Sequence, residues 1–151
     1  MGITEINIKL ADRQKEGTNG RLCAFVSIVL GNEWIIQELK VVDGMEGLFL
    51  SMPSRKLMDH CPDCWKKNCL RVRFCNHCGR RLPVNNNNER IRLYEDIVHP
   101  INYVCRHMAT EAVLKVYKME LEFAKNPGYV FSFYSYLLNE KNGALPLRKE
   151  I

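Results

Sequence analysis

Apolar and polar residues alternate or cluster in short runs through the first third of the chain, a pattern typical of β-strands. Between Ile3 and Leu10 every second residue from Ile6 onward is apolar, which predicts a strand with one buried face. Gly31-Asn32 stands between two apolar runs and is the signature of a two-residue hairpin turn. Four strands are therefore predicted, over residues 3–10, 21–30, 33–42 and 48–52.

The pattern resumes after residue 90 with a predicted strand over 91–98 and then a helix. Asn102 is a suitable N-cap, and Pro127-Gly128 ends the helix after Lys125. The apolar positions that share one helical face are Val113, Val116, Tyr117, Leu121 and Ala124. Residues 129–138 are rich in aromatic side chains and fit either a strand or a short helix, and the last dozen residues resemble a tail.

Residues 57–90 interrupt this order and hold five of the seven cysteines. The run Asn85 to Asn88 at their end is a plausible flexible linker. No apolar stretch approaches the ~20 residues of a membrane span. The N-terminus lacks the basic start and apolar stretch of a signal peptide, so we expect a cytoplasmic protein. In a reducing compartment the cysteines favour metal binding over disulfides.

Two Cys-x-x-Cys pairs, Cys61/Cys64 and Cys75/Cys78, predict a metal site. Two thiolates three positions apart on a tight turn can face one ion, and two such turns complete a tetrahedron around a structural zinc. A disulfide pair, a redox motif or an iron–sulfur site fits this pattern less well, and four thiolates leave no open position for catalysis. Other residues near enough to replace a ligand are His60, Cys69 and His77, whereas Cys23 and Cys105 are expected in the core.

The net charge of +5 is unevenly distributed. Residues 55–92 carry ten basic and three acidic residues, while the rest of the chain is slightly acidic. A localised basic region indicates a polyanionic partner. The candidate phosphate-binding residues are Arg55, Lys56, Lys66, Lys67, Arg71, Arg73, Arg80 and Arg81.

Several short blocks occur in a characteristic order. They are Val-Val-Asp-Gly at 41–44, Gly-Leu-Phe-Leu at 47–50, Met-Pro-Ser-Arg-Lys at 52–56 and His-Pro-Ile-Asn at 99–102. In these blocks the chain resembles the stage V sporulation protein G family, also called the septation protein SpoVG family. The resemblance covers residues 3–57 and 91–117, and in that family a short variable loop joins the two parts.

The resemblance implies an α+β fold, with an antiparallel β-sheet followed by a C-terminal helix, and usually a homodimer. It also implies binding of DNA, and in some members RNA, with a regulatory role in bacteria and no catalysis. Arg55 and Lys56 match the family's basic pair. The expected domains are residues 1–56 with 91–126, a zinc-ribbon insertion over 57–90, and a C-terminal extension over 127–151.

Two alternatives to nucleic-acid binding remain at this point. In the first, the zinc finger docks a protein through Trp65 and Leu70, and the sheet serves only dimerisation. Trp65 has a simpler interpretation as well, in which its ring packs over the metal site. An enzyme is disfavoured because His99 has no nucleophile or paired carboxylate at motif spacing. Glu95 and Asp96 lie next to each other on a strand and point to opposite faces.

Overall fold

The computed structural model describes residues 2–12, 20–83, 93–138 and 146–151. Its strands, in chain order, are β1 (Ile3–Leu10), β2 (Leu22–Leu30), β3 (Trp34–Gly44), β4 (Gly47–Ser51), β5 (Ser54–Lys56), β6 (Met58–His60), β7 (Lys67–Cys69), β8 (Tyr94–Asp96), β9 (Tyr134–Leu137) and β10 (Leu147–Glu150). One helix, α1 (Tyr103–Ala124), lies between β8 and β9. Contacts within the chain divide it into two units, which are Met1–Pro53 with Val98–Ile151, and Ser54–Ile97.

The first unit contains a six-stranded antiparallel sheet in the order β10-β9-β1-β2-β3-β4. Alternate side chains of β1 are buried, as the sequence predicts, because one face of the strand packs into the core. Gly31 and Asn32 both have φ near +57°, so the β2–β3 hairpin uses the left-handed backbone that Gly and Asn accept most easily. The predicted α+β fold, a sheet followed by a helix, is confirmed.

Helix α1 packs its apolar face against the sheet. Asn102 is its N-cap, and its side-chain oxygen accepts a hydrogen bond of 2.8 Å from the backbone N–H of Cys105. Val113, Val116 and Tyr117 are buried as predicted, whereas Leu121 is exposed. In the part of the chain that the structure describes, no helix is long and apolar enough to span a membrane.

The C-terminal residues are part of the sheet, so the expectation of a tail is wrong for residues 147–150. Strand β9 pairs with β1, and β10 pairs with β9. A buried polar network holds them, because Arg148 donates two hydrogen bonds of 3.0 Å to the fully buried carboxylate of Glu120. Tyr129 and Tyr136 donate to the same carboxylate at 2.6 and 2.5 Å.

The second unit consists of two short antiparallel strand pairs and two cysteine turns. Strand β5 pairs with β8, and β6 pairs with β7. The expected linker, Asn85 to Asn88, lies outside the described residues. The sequence predicts domain boundaries at residues 56/57, 90/91 and 126/127. Whether the regions between these boundaries fold independently stays a prediction.

Candidate metal centre and basic surface

Two nearly identical turns present the four predicted cysteines. In the first turn the N–H of Cys61 donates to the carbonyl of Lys66 at 2.9 Å, and the N–H of Trp65 donates to the carbonyl of Cys61 at 2.9 Å. In the second turn Cys75 bonds in the same way to the carbonyl of Arg80 at 2.8 Å, and Gly79 to the carbonyl of Cys75 at 3.0 Å. The fifth position of each turn has a left-handed backbone, with φ of 62° at Trp65 and 77° at Gly79.

These turns bring the four sulfur atoms together. All four lie within 4.8 Å of one another. The Sγ atoms of Cys61 and Cys78 are 3.6 Å apart, as are those of Cys64 and Cys75. A regular tetrahedron of sulfurs around zinc, with Zn–S near ~2.3 Å, has edges of about 3.8 Å. The cluster therefore has the donor atoms and the dimensions to hold a tetrahedral metal ion.

Asn68 supports the cluster and was not recognised from the sequence. Its side chain is almost fully buried, and its amide nitrogen lies 3.4 Å from the Cys75 sulfur. The amide oxygen accepts a hydrogen bond of 2.9 Å from the backbone N–H of Asn76. Asn68 thus joins β7 to the second turn. A single asparagine on a short polar strand gives no sequence signal for this role.

The sulfur atoms differ in how readily they ionise. Backbone N–H groups of Cys78 and His77, helped by Asn68, lower the pKa of the Cys75 thiol to about 5. The backbone N–H of Arg80 favours the Cys78 thiolate, but burial and the three other sulfurs outweigh it and raise the Cys78 pKa to about 12. One negative charge settles easily on Cys75, whereas four thiolates this close together need a cation.

The remaining cysteines and histidines lie outside the cluster of four. Cys69 is half-buried on β7, and His60 and His77 are exposed. Cys23 is a core residue of the sheet, as expected. Cys105 is exposed, so the prediction that it lies in the core is wrong. The reason is that the first residues of α1 are exposed and the helix packs on the core only further along.

All eight candidate phosphate-binding residues lie in the second unit, and all are exposed. Arg55 forms an ion pair of 3.2 Å with Glu95, which lies opposite it on β8, and Arg80 pairs with Asp63. The other six have no carboxylate within ion-pair range among the residues that the structure describes. Trp65 is 72% exposed, and its ring centroid lies 5.7 Å from that of His60.

Comparison with known proteins matches residues 1–119 to the family model described as SpoVG. A protein of Agathobacter rectalis named "Putative septation protein SpoVG" is 30% identical over 122 residues, covering 81% of this chain and 98% of the relative. A protein of the same name from Finegoldia magna is 32% identical over 122 residues, covering 81% and 79%. The Listeria monocytogenes protein "Putative septation protein SpoVG 1" is 30% identical over 126 residues, covering 83% and 87%. These matches confirm the resemblance found in the sequence blocks, and the chain belongs to the SpoVG family.

Proposed function

We propose that this chain is a non-catalytic regulatory protein that binds DNA or RNA through residues 54–97. The observation that carries the proposal is the concentration of eight exposed cations in this unit, six of them without an acidic partner among the described residues. Arginine and lysine side chains bind nucleic-acid phosphates and release condensed counterions. A fully thiolate-coordinated metal leaves no open site for substrate, which supports a role other than catalysis.

We further propose one structural zinc per chain, held by Cys61, Cys64, Cys75 and Cys78. Thiolates and tetrahedral geometry together favour zinc over the hard cations magnesium and calcium, which prefer oxygen ligands. When bound, the ion supplies the positive charge that four crowded thiolates require. Its coordination leaves a formal charge of −2, so some of the surrounding cations also balance the centre itself.

A homodimer formed by the sheet unit is part of the same proposal. Strands β4 and β10 are the edges of an open sheet, and exposed edges favour pairing or cover. The residues just before and at the start of α1 also expose apolar side chains, with Ile101 at 92% and Tyr103 at 76% exposure. A groove of about 660 Å³ beside them is lined by Ile28, Met52 and Met108, among others. Sedimentation at micromolar concentration tests the proposal, and a clean monomer contradicts it.

A salt series of binding isotherms tests nucleic-acid binding. We expect the double variant R55A/K56A to bind duplex DNA more weakly than the parent chain. Each lost phosphate contact lowers the log–log salt slope by about 0.9, so the slope should fall by about 1 to 2. The lower value applies if the ion pair with Glu95 keeps Arg55 away from phosphate. R80A/R81A should lower the slope by a similar amount, because there too one of the two cations is paired, Arg80 with Asp63.

The matched control is K115A/K118A, which removes the same charge from exposed positions on α1. If K115A/K118A flattens the slope as much as R55A/K56A does, binding is a general charge effect and the assignment to residues 54–97 is wrong. If the parent chain binds neither DNA nor RNA at low salt, the proposed function fails.

A protein-interaction module is the second candidate function. The exposed ring of Trp65 on the first cysteine turn favours it, because large aromatic side chains often anchor protein interfaces. Leu70 is half-buried and offers less contact area. The salt dependence of nucleic-acid binding by the purified chain distinguishes the two functions. Binding that weakens strongly with added salt supports the nucleic-acid function.

A further inference from the structure

The second unit exposes three large aromatic side chains. The exposed fractions are 72% for Trp65, 57% for Phe74 and 52% for Tyr94. None of the three is among its buried residues, which in the described part are Cys61, Asn68 and Cys75. Single exposed apolar side chains are common on protein surfaces, so the rings become informative through the groups that lie beside them.

Basic side chains stand next to these rings across the strand pairs. Tyr94 lies directly opposite Lys56 in the β5–β8 pair, and Phe74 lies opposite Arg81 in an isolated bridge. Opposite residues of antiparallel strands point to the same face, with Cβ atoms roughly 4.5–5.5 Å apart. Each of these two rings therefore shares its face with a cation.

The first cysteine turn has the same combination. The Trp65 ring contacts His60, and His60 lies opposite Lys67 in the β6–β7 pair. Lys66 follows Trp65 directly in the chain and is exposed. Lys66 is thus next to the third ring in the chain, and Lys67 lies opposite the residue that the ring contacts.

Tyr94 also borders a small pocket of about 140 Å³ with Lys56 and Arg71. The pocket is well below the roughly 300–1,000 Å³ typical of small-molecule sites. Its walls are otherwise apolar and include Leu57, Leu70 and Leu93. Two cations beside a ring and an apolar recess suit a flat base attached to a phosphate.

A protein can bind the phosphates of a duplex with basic side chains alone, because the faces of the bases are stacked inside the duplex. Single strands expose base faces, which stack on aromatic side chains while basic groups follow the backbone. We infer that residues 54–97 bind single-stranded nucleic acid in preference to duplex, with Tyr94, Phe74 and Trp65 as stacking positions. This inference rests on the proposed nucleic-acid function and specifies its substrate.

The test compares a single strand of DNA, an RNA of the same sequence and the corresponding DNA duplex, on the full chain loaded with zinc. We expect tighter binding of a single strand than of the duplex, and the two single-stranded arms show whether the 2′-hydroxyl contributes. Y94L should weaken single-strand binding about 5- to 150-fold, the range for one lost stacked base. Duplex binding and the salt slope should not change, since no charge is removed.

Y94F is the matched control, because it keeps the ring and should bind like the parent chain. If Y94L loses zinc, W65L takes its place, since most of the Trp65 side chain is exposed. In the background W34F, Trp65 is the only tryptophan, and stacked bases should quench its emission.

The outcomes separate the two proposals. Duplex binding as tight as single-strand binding, or equal loss of both in the leucine variants, overturns the single-strand inference and leaves the proposed function standing. Absence of binding to all three nucleic acids overturns the proposed function as well. Weaker single-strand binding with an unchanged duplex affinity supports both.

Discussion

The two units of this protein are built on different physical principles. The sheet unit buries a continuous apolar cluster from both the strands and α1, including Ile6, Ile8, Val41 and Val116. In the described part of residues 54–97 the buried residues are two cysteines of the cluster of four and Asn68, while the exposed surface includes three large aromatic rings. A unit with so little buried apolar area lacks the main favourable contribution to folding.

This contrast indicates that the two units draw their stability from different sources. The sheet unit has its own core and its own helix cap, so we expect its stability to depend on contacts within it. Residues 54–97 need another source of stability, and metal coordination provides one in small modules that are unfolded without the ion. Removing the metal should therefore separate the behaviour of the two units.

The largest expected effect comes from replacing all four cluster cysteines by serine. Metal analysis should show the loss of about one zinc per chain, and residues 54–83 should lose dispersed amide NMR signals while those of β1 and β2 persist. This effect should be the largest because the free energy of zinc binding, which drives folding of such modules, is roughly 10–16 kcal/mol in zinc-finger peptides at pH 7.

The control for this experiment is C69S/C105S, which removes two cysteines outside the cluster and should keep the zinc. Stoichiometric zinc in the four-serine variant contradicts the assigned ligands. Collapse of the sheet signals in that variant contradicts the independence of the sheet unit.

The next largest effect concerns the buried carboxylate in the sheet unit. E120A leaves Arg148 without its charge partner and two tyrosine hydroxyls without an acceptor, although Arg148 keeps its contacts with the rings of Phe123 and Tyr134. Removing one partner of a buried ion pair typically costs 3–5 kcal/mol, roughly, so urea unfolding should show a loss of that size. E111A, at an exposed position of α1, should cost about 0.5 kcal/mol or less. Equal losses contradict the central role of Glu120.

The same network predicts a dependence on alkaline pH. Burial, and then the hydrogen bond and charge of Glu120, raise the pKa of Tyr129 and Tyr136. Because the pKa values are higher in the folded state, the stabilisation is complete below the unfolded pKa of about 10 and is lost as pH rises toward the folded values. The free energy of unfolding should fall above about pH 10 by up to about 1.4 kcal/mol per pH unit for each tyrosine.

Urea unfolding between pH 8 and 11 measures this fall. The double variant Y129F/Y136F should be less stable at pH 8 and should lose less stability between the two pH values than the parent chain. An equal loss in both proteins assigns the alkaline sensitivity to other groups.

Much of the sheet unit follows from the sequence because its signals are local. Alternation in β1, the turn at Gly31-Asn32 and the cap at Asn102 each depend on a few neighbouring residues, and all three are confirmed. Strand β10 was missed because its place depends on Arg148 reaching Glu120, 28 positions away in the chain. A single polar strand gives no local sign of such a partner.

The candidate site shows the same division between local and distant information. The spacing of the Cys-x-x-Cys pairs is enough to predict which four sulfurs meet. The support from Asn68, the ion pair of Arg55 with Glu95, and the pocket shared by Lys56 and Arg71 depend on strand pairing between distant segments. Composition locates the cations, whereas the fold decides which of them are paired.

The smallest expected effect compares the two cysteine turns with each other. Gly79 and Trp65 occupy the same position of their turns, and both have a left-handed backbone that glycine adopts without penalty and other residues adopt at a cost. No atom lies within 4 Å of where a Cβ would stand at Gly79, so G79A adds only backbone strain. We expect it to weaken zinc binding by about 1 kcal/mol, or about five-fold, in competition with a chelator.

N76A, in the same turn but without a left-handed backbone, should bind zinc like the parent chain. W65G relieves strain in the first turn but gives up the contact with His60 and adds freedom to the unfolded chain, so its effect should be smaller than that of G79A. If G79A binds zinc as tightly as the parent chain, the left-handed position is not a requirement of the turn, and the equivalence of the two turns lies in their hydrogen bonds alone.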